Sequence, residues 1–180
     1  MPRTPRDASA GLFHVSTHCV WAAPELYRDD VDRLEFLRHL ARTVTPGWTC
    51  LAYCLLTNHY HLILDVEDGL LPRGMHVLNL RYALHHNRRH GMRGHVQDRR
   101  YWARRIGGEG DLLETFAYLA RNPVKAGLCR SPARWPWSSY AATVGLAPLP
   151  SFVDPSLVLA SLADAGFDPR AALRAHVEGT

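Results

Sequence analysis

The chain is short of lysine, of cysteine and of long apolar runs. Lys125 is the only lysine among 180 residues, so nearly all of the 21 basic side chains are arginine. Guanidinium forks onto phosphate and stacks on flat rings better than an ammonium does. Four cysteines, Cys19, Cys50, Cys54 and Cys129, are too scattered for a disulfide framework. Cys50 and Cys54 stand an even number apart in a strand-like run, which predicts that they face one side as reduced core thiols. A zinc site would want a tighter cluster with a clear fourth ligand. No stretch approaches the roughly 18 apolar residues of a membrane-spanning helix, and residues 1–6 lead into no apolar signal core. The expectation is one cytoplasmic catalytic unit, a monomer or homodimer with no membrane contact. No Gly-rich phosphate loop of the P-loop type is present, which argues against chemistry driven by a nucleoside triphosphate.

Acid is missing from one stretch in particular. Between Arg81 and Arg105, Asp98 is the only carboxylate, while Arg81, Arg88, Arg89, Arg93, Arg99, Arg100, Arg104 and Arg105 stand among four histidines. Such a block repels itself unless a polyanion relieves it, and it reads as a nucleic-acid contact surface. The plainer alternative is a solvated helix face. Tyr101 beside Arg100 suits base stacking in a single-strand groove.

Periodicity supplies the organisation. Residues 1–10 read as a loose polar arm. Leu12 to Trp21, Trp48 to Leu56 and Tyr60 to Val66 are rich in β-branched, aromatic and Cys residues and read as strands, with a shorter one near Tyr101 to Ile106. A helix capped by Asp29 or Asp30 carries Val31, Leu34, Leu37, Leu40, Ala41 and Val44 at helical spacing and stops at Pro46-Gly47. A second helix fits residues 73–90, and a third starts near Asp111 and is expected to end before Pro123. The order predicts an α+β fold, a ferredoxin-like βαββαβ antiparallel sheet with helices on one face. A unit over residues 11–130 would then be followed by a C-terminal extension over 131–180, with short helices near 155–165 and 169–177. Trp135, Trp137 and Tyr140 are expected to anchor that extension.

The candidate chemistry lies in two places. His59 and His61 flank Tyr60, and strand alternation aims both imidazoles to one side while Tyr60, Leu62 and Leu64 point to the other. Two co-facing imidazoles are half of a metal site, or simply exposed histidines on a sheet face. Tyr118 and Asn122 are four apart on one helical face, with Arg121 on a neighbouring track. Mg²⁺ or Mn²⁺ accepts amide oxygen as well as imidazole, so His59, His61 and Asn122 would leave positions open for a phosphate that Tyr118 could attack. The competing reading makes Tyr118 a core residue and Asn122 a helix cap. Tyr82 has no amide four residues on, which makes it the weaker nucleophile candidate.

Tyr53-Cys54-Leu55-Leu56-Thr57-Asn58-His59-Tyr60-His61, Tyr118-Leu119-Ala120-Arg121-Asn122-Pro123 and Pro136-Trp137-Ser138-Ser139-Tyr140 together resemble the HUH single-tyrosine transposases. The likeness is greatest to the REP-associated tyrosine transposases, relatives of the insertion-sequence 200/605 group. Three motifs in the same order are more specific than any one. The resemblance implies a divalent metal held by His59, His61 and Asn122, with Tyr118 as nucleophile. It implies cleavage and transfer of single-stranded DNA, with a hairpin in the substrate, through a covalent 5′-phosphotyrosine. Thr57 stands where the family usually has proline, and residues 94–101 lack the tryptophan common there. A regulatory DNA or RNA binder, or a metal phosphodiesterase using water, remain the other readings. The nucleic-acid contacts would then be Arg81, Arg88, Arg89, Arg93, Arg99, Arg100, Tyr101, Arg104 and Arg121.

Overall fold

The two central strands alternate so that one face is apolar and the other polar. In β1 (Gly11–His18), Phe13 and Val15 join one core while His14, Ser16 and His18 point the opposite way. In β3 (His59–Val66), Tyr60, Leu62, Leu64 and Val66 enter the same core, and His59 and His61 share the other face with His14. A computed structural model describes residues 9–19, 25–97, 100–163 and 168–179. Residues 1–8 of the expected 1–10 arm, and Val20, Trp21, Asp98 and Arg99, lie outside the described residues.

The strands pair antiparallel in the order β2-β3-β1-β4, where β2 is Trp48–Leu55 and β4 is Trp102–Arg105. This is the expected ferredoxin-like α+β plan, a sheet entered by a βαββαβ sequence of elements, but helices cover both of its faces and not one, because a third amphipathic helix packs on the second face. Helices α1 (Asp30–Thr43) and α2 (Leu70–His90) cover the apolar face, and Asp29 caps α1 by accepting from Asp32 N–H at 3.1 Å. Helix α3 (Glu109–Lys125) covers the opposite face with Leu112, Phe116, Leu119 and Ala120. The short helices α4 (Tyr140–Thr143), α5 (Ser156–Ala160) and α6 (Pro169–Glu178) pack beside α3.

Four local expectations need correction. Val31 and Leu34 are exposed, and α1 instead buries Asp32, Phe36, His39, Leu40 and Thr43. The cause is tertiary: Phe36 packs on Tyr60 and Tyr82, ring centroids 4.7 and 5.3 Å apart, and Asp32 finds ionic partners on α2. Pro123 does not end α3. A proline gives up only its own N–H, and beyond it Ala126 N–H still closes on Asn122 O at 2.9 Å before Gly127, at φ +70, stops the helix. Cys50 and Cys54 face opposite sides of the sheet, because a bulge between Cys50 and Ala52 inserts a residue and shifts the alternation. β1 ends at His18, and Cys19 beyond it makes an isolated bridge to Gln97 and donates its N–H to Asn58 O at 2.8 Å.

The C-terminal segment closes the β2 edge. Leu55 N–H donates to Trp137 O at 2.8 Å, Ser139 N–H donates to Tyr53 O at 3.0 Å, and Trp135 Nε1–H donates to Leu55 O at 2.9 Å. An edge left open would offer unpaired backbone groups to another chain. Tyr140 is fully buried and donates to Glu178 Oε1 at 3.0 Å, tying α4 to α6.

Gly74, within α2, lies against the ring of Trp48, which is 1% exposed. A Cβ at position 74 would overlap Nε1, Cε2 and Cδ1 of that ring. Helix propensity alone favours alanine over glycine by about 1 kcal/mol, but overpacking a rigid core ring costs about 1–3 kcal/mol. Gly74→Ala is therefore expected to lower the urea midpoint with the m-value unchanged.

Candidate active site

The polar face of β1 and β3 forms the floor of a cleft of about 640 Å³ with α3 as its wall. Register places His18 opposite His59 and Ser16 opposite His61. The His18 and His59 rings stack at 4.6 Å, and His59 and His61 stand edge to face at 5.0 Å. Tyr118 comes down from α3, its ring centroid 5.6 Å from that of His61 and 5.8 Å from that of His14. Trp102, from β4, packs edge-on against His14 at 5.2 Å.

The hydrogen bonds leave one nitrogen of each motif histidine for a ligand. His59 Nδ1–H donates to Asn58 Oδ1 at 2.7 Å, which leaves the Nε2 lone pair unengaged by that bond. His61 Nδ1 and His14 Nε2 share a hydrogen bond of 3.0 Å, and His61 Nε2 is buried with no partner. Metal-ligating imidazoles carry just this kind of second-nitrogen anchor, and a buried orphan acceptor is costly unless a cation satisfies it. The donor set therefore fits a divalent metal.

Burial keeps these rings neutral. The His59 pKa is lowered to about 4 by burial and then by His18, and His14 and His61 are lowered by burial and by their charged or imidazole neighbours. Asp111 is held at about 2 by its hydrogen bond from Arg104. Arg104 Nη1–H donates to Asp111 Oδ2 and Arg104 Nη2–H to Thr115 Oγ1, both at 2.7 Å, which joins β4 to α3 across the cleft. Lys125 Nζ lies 5.4 Å from the Tyr118 ring centroid, near enough for a cation–π contact.

His59, His61, Tyr118 and Arg104 thus meet in one cleft. Asn122 stands one turn further along α3, and its amide donates to Tyr118 O at 3.0 Å. Arg81, Arg88, Arg89, Arg93 and Arg100 are exposed, but α2 lies across the sheet from the cleft, and Arg100 and Tyr101 lead over the β4 side. Arg89 is paired with Asp29 and Asp32. Arg121 is turned to α6, donating to Val177 O at 2.8 Å and His176 O at 2.6 Å. Tyr82 is buried, with its hydroxyl on Leu26 O.

His14, His18, Trp102, Asp111, Glu114, Thr115 and Lys125 were not singled out from the sequence as site residues. His14-x-Ser16-x-His18 carries the same two-residue alternation as His59-x-His61, a signal that gains meaning only once β1 and β3 are known to pair. A separate group, Asp32, His86 and His90, could also hold a metal ion, with one ligand atom from each lying within 4.8 Å of the others. It belongs to the α1–α2 layer and is distinct from the cleft.

In the metal-free protein, the imidazoles that burial keeps neutral refuse protons that the unfolded chain accepts. Stability should therefore fall as pH drops from 6.5 towards 4 and change little above 7. His61→Asn should reduce that loss by roughly 1–2 kcal/mol between pH 7 and pH 5, read from urea melts at the two values.

No protein-family model matches the chain, and no curated protein does. Among solved structures, the fold is similar to that of a REP-associated tyrosine transposase bound to a REP hairpin, with a TM-score of 0.62 at 20% identity. The match covers 87% of this chain and 94% of the other. Among the described residues no helix is long and apolar enough to cross a membrane. The chain thus shares the fold of the REP-associated tyrosine transposases, the group its His59-Tyr60-His61 and Tyr118-to-Pro123 segments resemble.

Proposed function

We propose that this chain cleaves single-stranded DNA and transfers the cut strand through a covalent link to Tyr118. The observation that carries the reading is the convergence of a half-exposed phenol with two neutral imidazoles, each anchored through its other nitrogen, in one cleft. His59 and His61, with Asn122 offering its amide oxygen, would hold Mg²⁺ or Mn²⁺. When bound, that ion supplies Lewis-acid polarisation of the scissile phosphate and stabilises charge on the leaving oxygen.

The protein's own groups do the rest. Tyr118 Oη attacks phosphorus, the bond to the 3′ oxygen breaks, and the 5′ phosphate stays on the enzyme as a phosphotyrosine while a 3′ hydroxyl leaves. A phosphodiester is exchanged for a bond of similar energy, so attack by another 3′ hydroxyl rejoins DNA without ATP. His14 orients His61 through their shared hydrogen bond, and the Lys125 ammonium makes a cation–π contact with the Tyr118 ring that helps to hold it over the cleft. Trp102 offers a flat surface beside the reacting groups for an unstacked base.

The DNA path we infer runs from the exposed arginines of α2, Arg81 and Arg88, past Arg93, Arg100 and Tyr101, over the β4 edge to Trp102 and the cleft. Arg121 is left out of this path because its guanidinium is committed to α6. The similar transposase was solved with a REP hairpin, and a hairpin-bearing strand is the substrate class proposed here. Residues 11–130 form the proposed catalytic unit, braced along β2 by the 131–180 extension.

Incubation with labelled single strands from DNA flanking the gene, plus Mn²⁺, should give an SDS-resistant protein–DNA band. Tyr118→Phe is expected to abolish the band but keep binding within about twofold. His59→Ala and His61→Ala should each lower cleavage by at least about 100-fold. Cleavage that survives in Tyr118→Phe would point instead to water as nucleophile, and binding with no cleavage in any variant to a regulatory binder.

Binding should also weaken steeply with salt, with a log–log slope of about −0.7 per phosphate neutralised. Arg81→Ala with Arg88→Ala should flatten that slope by about one contact or more, and Arg121→Ala should leave it unchanged while lowering the melting temperature. An affinity independent of salt would refute the arginine path.

A further inference from the structure

Asp32 is a fully buried carboxylate on the first turn of α1, where the sequence pattern places a solvent-facing position. Two histidines reach it from α2. His86 and His90 are four residues apart and so lie on one helical face, with ring centroids 4.5 Å apart. His90 Nε2 lies 3.0 and 2.9 Å from the two Asp32 oxygens. His86 is fully buried, and neither of its ring nitrogens has a hydrogen-bond partner. A buried imidazole with two unsatisfied nitrogens loses the hydration it would have in water and gains nothing in return.

We propose that Asp32, His86 and His90 bind a transition-metal ion of the zinc class, which clamps α1 to α2. One ligand atom from each side chain already lies within 4.8 Å of the others, and ligands about 2.0–2.1 Å from a shared tetrahedral zinc stand about 3.3 Å apart. Small rotations of the side chains close that difference. Two imidazoles and one carboxylate favour zinc over Mg²⁺ or Ca²⁺, which prefer all-oxygen shells.

The charge balance also suits a cation. Arg89 donates to Asp29 and Asp32 together, so a single guanidinium is shared between two carboxylates. Arg28 N–H donates to Asp32 Oδ2 at 2.9 Å, which orients the carboxylate, while the Arg28 guanidinium is turned towards Met92 Sδ at 3.0 Å. Three protein ligands leave a fourth position for water. The centre lies across the sheet from the His59–His61 cleft, so it is a second metal site and does not depend on the cleavage reading.

The test uses the tag-free full chain carrying His59→Ala and His61→Ala, so that cleft binding is removed. Titration with Zn²⁺ by calorimetry, and with Co²⁺ by visible absorption, should show about one equivalent bound and a melting temperature raised by several degrees. Adding His90→Gln, at a position near the surface of the layer, should weaken Zn²⁺ affinity at least tenfold and remove the stabilisation by metal. His86→Gln should do the same, with circular dichroism confirming that either variant is folded. No Zn²⁺ binding in the His59→Ala/His61→Ala chain, or an affinity unchanged by His90→Gln, would overturn the proposal whatever the outcome of the cleavage assays.

Discussion

Everything in this fold depends on the pairing of β1 with β3. The register that sets His18 against His59 and Ser16 against His61 also sets Phe13 and Val15 beside Leu62 and Leu64 on the opposite face. A slip of one residue would bury the imidazoles beneath α1 and α2 and expose the apolar set, so burial of one face enforces assembly of the other. The histidine face is thereby fixed by the hydrophobic core behind it, and no dedicated scaffold loop is needed to gather the histidines.

Helix α3 completes the cleft because it is amphipathic in two directions. Phe116, Leu119 and Ala120 face the sheet and the C-terminal helices, while Asp111, Thr115 and Tyr118 line the histidine side. The Arg104–Asp111 pair and the Arg121 bonds to α6 hold the helix from both flanks. Tyr118 therefore sits on a helix held from both flanks and stays half-exposed to solvent. The proposed attack by Tyr118 would need that rigidity, since a displacement of about 1 Å can cost about 100-fold in rate.

The arginines of α2 and the cleft lie on different faces of the sheet, and of the arginine block Arg104 lines the cleft itself. A nucleic acid touching both has to cross the β4 edge, where exposed Trp102 and half-buried Tyr101 lie close in sequence to Arg100. Such a route would bend the strand and unstack bases near the reacting phosphate, which suits single-stranded DNA better than an unbroken duplex. Arginine does not serve one purpose here: Arg89 and Arg121 hold the fold together, and Arg104 orders the cleft wall.

Strand and helix order, the antiparallel βαββαβ plan and the co-facing of His59 with His61 were all legible in the sequence, because period-two and helical patterns act over a few residues. Tyr118 and Asn122 could be placed on one helical face by the same short-range spacing. The burial of Asp32, the exposure of Val31 and Leu34, the bulge that separates Cys50 from Cys54 and the survival of α3 past Pro123 were not legible. Each is set by partners from distant segments, such as Arg89 and His90 on α2 or the backbone of β3, and a one-dimensional pattern carries no record of them. By itself the sequence determined which side chains share a face of an unbroken strand or helix, as in β1 and β3. Only the tertiary structure decided which faces meet, and so brought His14 to His61 and Tyr118 over both, because strand pairing and core burial are long-range interactions that local spacing does not encode.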